Sequence, residues 1–246
     1  MKKIRKAIVK GLAKIGITPY VYYAFKWNDP FLIKNKLFNK VENQIIFDVG
    51  AFDGRSIERY KKAFPKSTIF SFEPTPGIYA GLQKKYAGRN DVKLSNAALS
   101  SNIGEASFHV NNSLLTNSLL ESAKSEDKGT SIYDTNEKII VSTNTIDNYC
   151  LVEKIEKINI LKIDVQGADL MVLKGAEKAL ESRKIDLIFI EVEFVELYDK
   201  QPLFHDISTY LHSKGYYLYS LYNMSISDQG QLIYGDAVFI SPDIKL

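Results

Sequence analysis

The sequence predicts a single α/β domain on a mostly parallel sheet, and three observations carry that prediction. From residue 44 onward, short apolar runs alternate with amphipathic stretches at helical spacing, the pattern of successive βαβ units. The first run opens straight into a glycine turn, Gly50-Ala51-Phe52-Asp53-Gly54, and in open α/β sheets ligands bind outside the carboxyl ends of the strands. The last two runs lie around a polar turn near residues 228–230 with no helical stretch between them, which implies that they close antiparallel.

Residues 44–49 (QIIFDV) read as the first strand, and residues 55–64 as an amphipathic helix stopped by Pro65. A strand at 68–72, a helix at 78–86 and a short strand at 92–94 follow. Residues 105–143, rich in Ser, Asn and Thr, break the rhythm as an insertion with hairpin strands near 106–110 and 138–142. Alternation resumes with a strand at 158–163, a helix at 168–181, a strand at 185–192 and a helix at 203–214. Closing strands at 216–222 and 237–240 bring the core sheet to seven. With no internal repeat and no Gly/Pro-rich linker, residues 41–246 form one domain behind an extension at 1–40.

A composition of 45% hydrophobic and 25% charged residues excludes disordered, collagen-like and polytopic membrane chains. No apolar run reaches the roughly 18 residues of a membrane span. The single cysteine, Cys150, excludes an internal disulfide and a cysteine-held metal cluster; the expected setting is the cytoplasm. Net charge is +3, yet residues 1–40 hold ten Lys or Arg against one acid, Asp29, which leaves +9 there and −6 elsewhere. Ile4, Ile8, Leu12 and Ile15 recur at helical spacing, so the extension reads as a basic helix. Lys10 and Lys14 interrupt it too often for a signal peptide. Such a helix either packs through its apolar stripe or makes peripheral contact with an anionic membrane or carrier.

The glycine turn discriminates among ligands. A dinucleotide-binding turn needs a small residue where this chain has Phe52, because the pyrophosphate presses on the backbone there. No G-x-x-x-x-G-K-[ST] phosphate loop occurs either, so NAD and ATP are disfavoured. A phosphate-free nucleoside such as S-adenosyl-L-methionine suits the G-x-x-x-G form. Asp48 is placed for its ammonium, directly or through water, or else is a buried acid capping the local turn, and free N–H groups near the helix start are placed for the ligand carboxylate. Glu73 ends the second strand 23 residues beyond Gly50, the place from which a carboxylate accepts ribose hydroxyls.

These residues resemble the FkbM-type methyltransferases. The resemblance rests on FDVGAFDG (residues 47–54), Phe72-Glu73-Pro74, Asn96-Ala97-Ala98-Leu99-Ser100, LKIDVQGADLMVLKG (residues 161–175) and Gly235-Asp236-Ala237-Val238-Phe239. It implies a Rossmann-like class I methyltransferase sheet of seven strands, the last inserted antiparallel, with helices on both faces. It further implies O-methylation of a hydroxyl on a sugar, polysaccharide, glycolipid or secondary metabolite. By the same resemblance, Gly50, Ala51, Phe52, Asp53, Gly54 and Ser56 join Asp48 around the methyl donor, and Pro74 and Ala97 join Glu73; Asn96, following the third strand, either meets the adenine edge or ribose or is an ordinary turn asparagine. The chain departs from the family at Gln166, where the family usually has glutamate.

Asp164 and Glu191 end the fourth and fifth strands, flanking the transferred methyl. Asp164 is the preferred base or orienting acid, since an alcohol must shed its proton as it attacks; capping of the helix near Gly167 is its alternative. Glu191 shares that work or joins Asp164 around Mg²⁺, a reading that Gln166 disfavours by lowering the available charge. His109, His205 and His212 lack the spacing of a zinc site. Residues 111–122 are expected to cover the acceptor side. Tyr198, Tyr216, Tyr217, Tyr219 and Tyr222 are either core or a sugar-stacking wall. A nucleic-acid acceptor is not expected, because the body is acidic and no Asn-Pro-Pro-aromatic motif is present. The competing function is an inactive nucleoside-binding or scaffold domain of the same fold.

Overall fold

The computed structural model describes residues 37–38, 41–123 and 131–244; apart from residues 37–38, the predicted basic helical extension lies outside them. In the unit Val41–Leu246, the first half runs β1 (Ile45–Val49), α1 (Arg55–Ala63), β2 (Thr68–Phe72), α2 (Pro76–Lys85) and β3 (Val92–Ser95). The middle holds β4 (Ala98–Leu99), β5 (Gly104–Asn111), a 3-10 turn (Leu114–Thr116), β6 (Thr135–Asn144) and α3 (Ile146–Val152). The second half runs β7 (Ile158–Ile163), α4 (Asp169–Lys174), α5 (Glu177–Glu181), β8 (Ile185–Glu193), α6 (Phe204–Ser213), β9 (Tyr217–Ile226) and β10 (Leu232–Ile240).

Seven strands form one sheet in the order β3-β2-β1-β7-β8-β10-β9. β10 runs antiparallel to both its neighbours, β8 and β9, and the pairs from β3 to β8 are parallel. This is the α/β sheet with an inserted antiparallel last strand that the resemblance implied. Both faces are covered, which is why β7 and β8 read as nearly continuous apolar runs. On one face Phe47, Val49, Phe72, Leu161, Ile163 and Ile190 share a buried cluster with Ile146 of α3, Val172 of α4, Leu180 of α5 and Leu211 of α6. Alternate residues point to the opposite face, where Ser56 of α1 hydrogen-bonds Asp48 of β1.

Two expectations change. The helix predicted at 168–181 is two helices, α4 and α5, broken at Gly175. The chain there lies so close to the end of β4 that a Cβ on Gly175 would sit 2.0 Å from the Ser100 carbonyl oxygen. The hairpin strands of the insertion exist as β5 and β6, but β6 also pairs in parallel with β4, making a second, three-stranded sheet. α3 follows directly, its first turn capped by Thr145 Oγ accepting the Asn148 N–H at 3.1 Å. Periodicity alone shows neither β4 nor α3, since two and seven residues are too few to establish a period.

Gly175→Ala should therefore destabilise the fold, because the obstruction is backbone. Gly81→Ala, inside α2 with open space around the added methyl, should stabilise it by about 0.5–1 kcal/mol. Urea titration of the two variants checks both signs.

Candidate active site

The carboxyl ends of β1, β2, β7 and β8 open into a cavity of about 390 Å³, a size typical of small-molecule sites. Its floor is organised by a polar row across three adjacent strands. Register places Ser71 of β2 beside Asp48 of β1, and Asp48 beside Lys162 of β7. Asp48 is fully buried; its Oδ2 accepts from Ser56 Oγ at 2.6 Å and Ser71 Oγ at 3.2 Å, and its Oδ1 faces Lys162 Nζ at 3.5 Å. Lys162 Nζ also donates to the carbonyls of Gly50 (2.7 Å) and Val49 (3.3 Å) and lies 3.4 Å from Asp164 Oδ2. Burial pushes the Lys162 ammonium toward losing its proton, but the charges of Asp164 and Asp48 together outweigh it and hold the group above the ordinary lysine value. The place beside Asp48 that the sequence offered to a ligand ammonium thus contains a resident one.

The glycine turn is bound to the neighbouring strands. Gly50 has φ +80°, and a Cβ on it would lie 2.0 Å from the Asp164 carbonyl oxygen, so this glycine admits strand β7's end. The Gly50 and Ala51 N–H groups both donate to Phe72 O at 3.1 Å, and the Phe52 N–H donates to Glu73 Oε2 at 3.0 Å. Gly54, at φ +78°, is the residue on which Tyr86 packs. Asp53 is solvent-facing, paired with Arg55 at 2.7 Å. Of the predicted turn residues, Gly50 and Phe52 line the cavity, whereas Asp48, Ala51, Asp53, Gly54 and Ser56 do not.

Glu73 lines the cavity at the end of β2, with Pro74, Thr75 and Ala97. Each of its oxygens accepts one backbone N–H, Phe52 on Oε2 and Thr75 on Oε1 at 2.8 Å, which leaves acceptor capacity on both. Burial raises its carboxyl above the ordinary glutamate value. Asn96 is turned aside from the cavity; its Nδ2 ties the carbonyls of Glu73 (2.8 Å) and Pro74 (3.1 Å). Phe72, Ile78 and Leu99 add apolar wall.

Across the cavity lie Asp164, Gln166, Glu191 and Glu193. The Asp164 side chain is 42% exposed. Gln166 Nε2 donates to Asp164 Oδ1 at 3.1 Å and to Glu191 Oε2 at 2.7 Å, while its Oε1 accepts from the Tyr198 hydroxyl at 3.2 Å. An N–H donor therefore fills the space between the two carboxylates that would bracket Mg²⁺, and the residues do not fit that ion. Among the described residues no other acid, histidine and cysteine group is arranged to hold a metal. Burial, then the Asp164 charge, push the Glu191 carboxyl well above its ordinary value. Asp164 does not take its alternative role as a helix cap, since α4 has no side-chain cap; Asp169, at its first position, instead accepts from the preceding loop's N–H groups of Gly167 (3.1 Å) and Val165 (3.4 Å).

Sequence reasoning missed Lys162, Asp169, Glu193 and Tyr133. Glu193 is 2% exposed, lines the cavity, and its Oε2 has no hydrogen-bond partner. Burial, Asp169 and Asp164 push it up to about 8, with Gln201 pulling the other way. Its signal was the alternation Glu191-Val192-Glu193, which puts both glutamates on one face of β8. Leu114, Leu115, Thr116, Asn117 and Leu119, from the segment 111–122, line the cavity with Ile132 and Tyr133. Tyr198, Tyr216 and Tyr222 are buried; Tyr133 and Tyr234 are the tyrosines that reach the cavity.

Removing Lys162 leaves a buried carboxylate without its counter-charge, so Lys162→Met should cost about 3–5 kcal/mol in urea unfolding. Adding Asp48→Asn should recover part of that loss. Asp169, Asp164, Glu191, Tyr133 and Tyr198 face Glu193. Because its folded value lies above the unfolded one, its contribution is intact below 4.5 and is lost as pH rises through about 8. Asp169, raised from 3.8 to about 7 by burial and then Asp164, acts in the same direction. Tm should fall across that window, and fall less in Glu193→Gln.

A family model described as methyltransferase FkbM domain matches residues 48–218. The 2-O-methyltransferase NoeI of Sinorhizobium fredii is 29% identical over 169 residues, 64% of this chain and 66% of that protein. Methyltransferase 1 of Beauveria bassiana is 26% identical over 189 residues, covering 71% and 73% of the two chains. The hexuronic acid methyltransferase AglP of Haloferax volcanii is 26% identical over 152 residues, covering 61% and 56%. The chain thus spans about two thirds of the length of NoeI and little more than half of AglP. The matched residues take in the glycine turn, Glu73, Lys162, Asp164, Gln166 and both cavity glutamates, and the chain belongs to the FkbM methyltransferase family.

Proposed function

We propose that this protein is an S-adenosylmethionine-dependent O-methyltransferase acting on a hydroxyl of a sugar or glycan-like acceptor. The observation that carries the reading is the division of one cavity into two ends, a carboxylate beside apolar wall at Glu73 and a bridged carboxyl pair at Asp164 and Glu191. Family membership supports methyl transfer. The relatives' names, a 2-O-methyltransferase and a hexuronic acid methyltransferase, support an oxygen on a carbohydrate over a secondary metabolite.

The residues present fit the donor. Glu73 keeps acceptor capacity for two ribose hydroxyls, and Phe72, Pro74, Ile78 and Leu99 offer apolar surface to an adenine. S-adenosylmethionine supplies a methyl group on a sulfonium, already activated for in-line displacement. What remains for the protein is alignment, worth up to about 7–11 kcal/mol, and acceptance of the hydroxyl proton. Asp164 is the group for that proton: it is open to the cavity, with Lys162 behind it and the Gln166 amide fixing one oxygen. Glu191, its carboxyl pushed above the ordinary glutamate value by burial and held by the Gln166 amide, orients the hydroxyl. The insertion contributes Leu114, Leu115, Thr116, Asn117 and Leu119 to the cavity wall. Gln166 invited an inactive reading from sequence; here it holds both carboxyls in place, and nothing else favours that reading.

Asp164→Asn should leave S-adenosylhomocysteine affinity unchanged and lower turnover by about 10²–10⁴-fold. Unchanged turnover would remove Asp164 as the proton acceptor. Glu73→Ala should weaken S-adenosylhomocysteine binding by about 1–3 kcal/mol, read by calorimetry.

A further inference from the structure

Gln166 bridges Asp164 and Glu191 from a backbone conformation that needs support. Its φ is +56° and that of Gly167 is +87°, two left-handed residues in succession. A side chain other than glycine is disfavoured in that region and persists only where the surroundings over-determine it. Ser118 Oγ donates to the Gln166 carbonyl at 2.7 Å, and the Tyr198 ring lies against Gly167, where a Cβ would come within 2.9 Å of its Cδ2. The Tyr198 hydroxyl reaches Gln166 Oε1 at 3.2 Å and Thr116 O at 2.9 Å, and its one hydrogen serves both acceptors. Tyr198 is itself firmly seated: it is fully buried, its N–H donates to Gln201 Oε1 at 2.9 Å, and its ring meets Tyr133 edge-on. Burial, the foremost cause, raises its hydroxyl above the ordinary tyrosine value, so the hydrogen stays in place.

From this arrangement we infer that Tyr198 is a positioning residue for methyl transfer, its hydroxyl holding the Gln166 amide with the nitrogen end toward Asp164 and Glu191. The inference rests on the reading of Asp164 as proton acceptor and deepens it by naming what keeps that acid in place. The two ends of a primary amide have nearly the same shape. Turned round, this one would set its oxygen against the Asp164 carboxylate, where Nε2 now donates at 3.1 Å. The bonds to Asp164 and Glu191 fix only the nitrogen end of the side chain, and Asp164 is itself part-exposed. Tyr198 fixes the oxygen end from a buried site. Thr116 lines the cavity, so the same hydroxyl also ties the acid bridge to the wall that the insertion contributes. Tyr198 does not line the cavity; it acts on alignment of the acids, which sets rate, and not on the methyl donor.

Side-chain amide exchange and methyl transfer test this together. In heteronuclear NMR spectra of the full chain, Gln166→Met identifies the Gln166 amide pair by its loss. Tyr198→Phe should speed hydrogen exchange of that pair by about tenfold. Tyr216→Phe, which removes a hydroxyl bonded to Ile185 O at 2.7 Å, should leave that exchange unchanged. With S-adenosylmethionine and p-nitrophenyl hexosides of gluco, galacto and manno configuration, Tyr198→Phe should lower kcat by about tenfold and leave S-adenosylhomocysteine affinity as it was. In the Gln166→Met background the same change should add little, because residues that act through one another are not additive. An equal fall in both backgrounds, or an amide pair that exchanges in Tyr198→Phe as it does in the unmodified chain, overturns the inference. The unmodified chain gives a check that needs no variant: the Tyr198 hydroxyl hydrogen should exchange slowly and show a nuclear Overhauser contact with the Gln166 amide, and a freely exchanging hydroxyl overturns the inference as well. Failure to methylate any of the three hexosides, with S-adenosylhomocysteine still bound, removes the sugar reading, and the amide exchange then decides this inference alone.

Discussion

The site depends on one buried ammonium. Lys162 sits in the middle strand of the sheet, opposite Asp48 in register, and binds the carbonyls of Val49 and Gly50 as β1 ends. It therefore sets where the chain turns away from β1, and with it the path of the glycine turn. The same ammonium lies against Asp164, the first residue beyond β7, so the floor of the cavity and its principal acid are fixed by a single group. A buried ion pair of this kind adds little stability over an apolar substitute, but breaking it is costly. The arrangement is thus one that resists drift at the strand ends, where a displacement of an ångström matters for alignment.

The second constraint is charge. Asp164, Asp169, Glu191 and Glu193 lie close enough that each raises a neighbour's hold on its proton. Gln166 makes this crowd tolerable. Its amide gives one N–H to each of two carboxyls and takes a hydroxyl hydrogen from Tyr198, satisfying its own polar atoms while adding no charge. A glutamate at this position would add a third acid and remove both donors. Among the described residues, every charged side chain that lines the cavity is a carboxyl.

Much of this was legible in the sequence, for identifiable reasons. Strand and helix periods pointed to the seven-stranded sheet and the missing helix between the last two runs to an antiparallel finish, while the insertion of the last strand between β8 and β9 came only from the family resemblance. Glu73, Asp164 and Glu191 were recognisable as acids ending apolar strands, and the structure brings all three to one cavity. Asp48 looked the same but is not: its side chain points across the sheet toward Lys162 and Ser71, a pairing that depends on strand order and register rather than on local sequence. Lys162 itself carried a signal, a charge inside a strand otherwise closed to water, which requires a partner. The break at Gly175 was invisible because the obstructing atom belongs to Ser100, far away in the chain. The second sheet was invisible because β4 has two residues.

The proposed methyl transfer requires that this cavity take a phosphate-free nucleoside carrying a sulfonium or thioether. Calorimetric titration of the full chain with S-adenosylhomocysteine, with NAD as the control, tests it most directly. Saturable micromolar binding of S-adenosylhomocysteine at one site per chain and no heat from NAD are expected. Binding of NAD, whose pyrophosphate would have to pass Phe52, or no binding of S-adenosylhomocysteine, would contradict it.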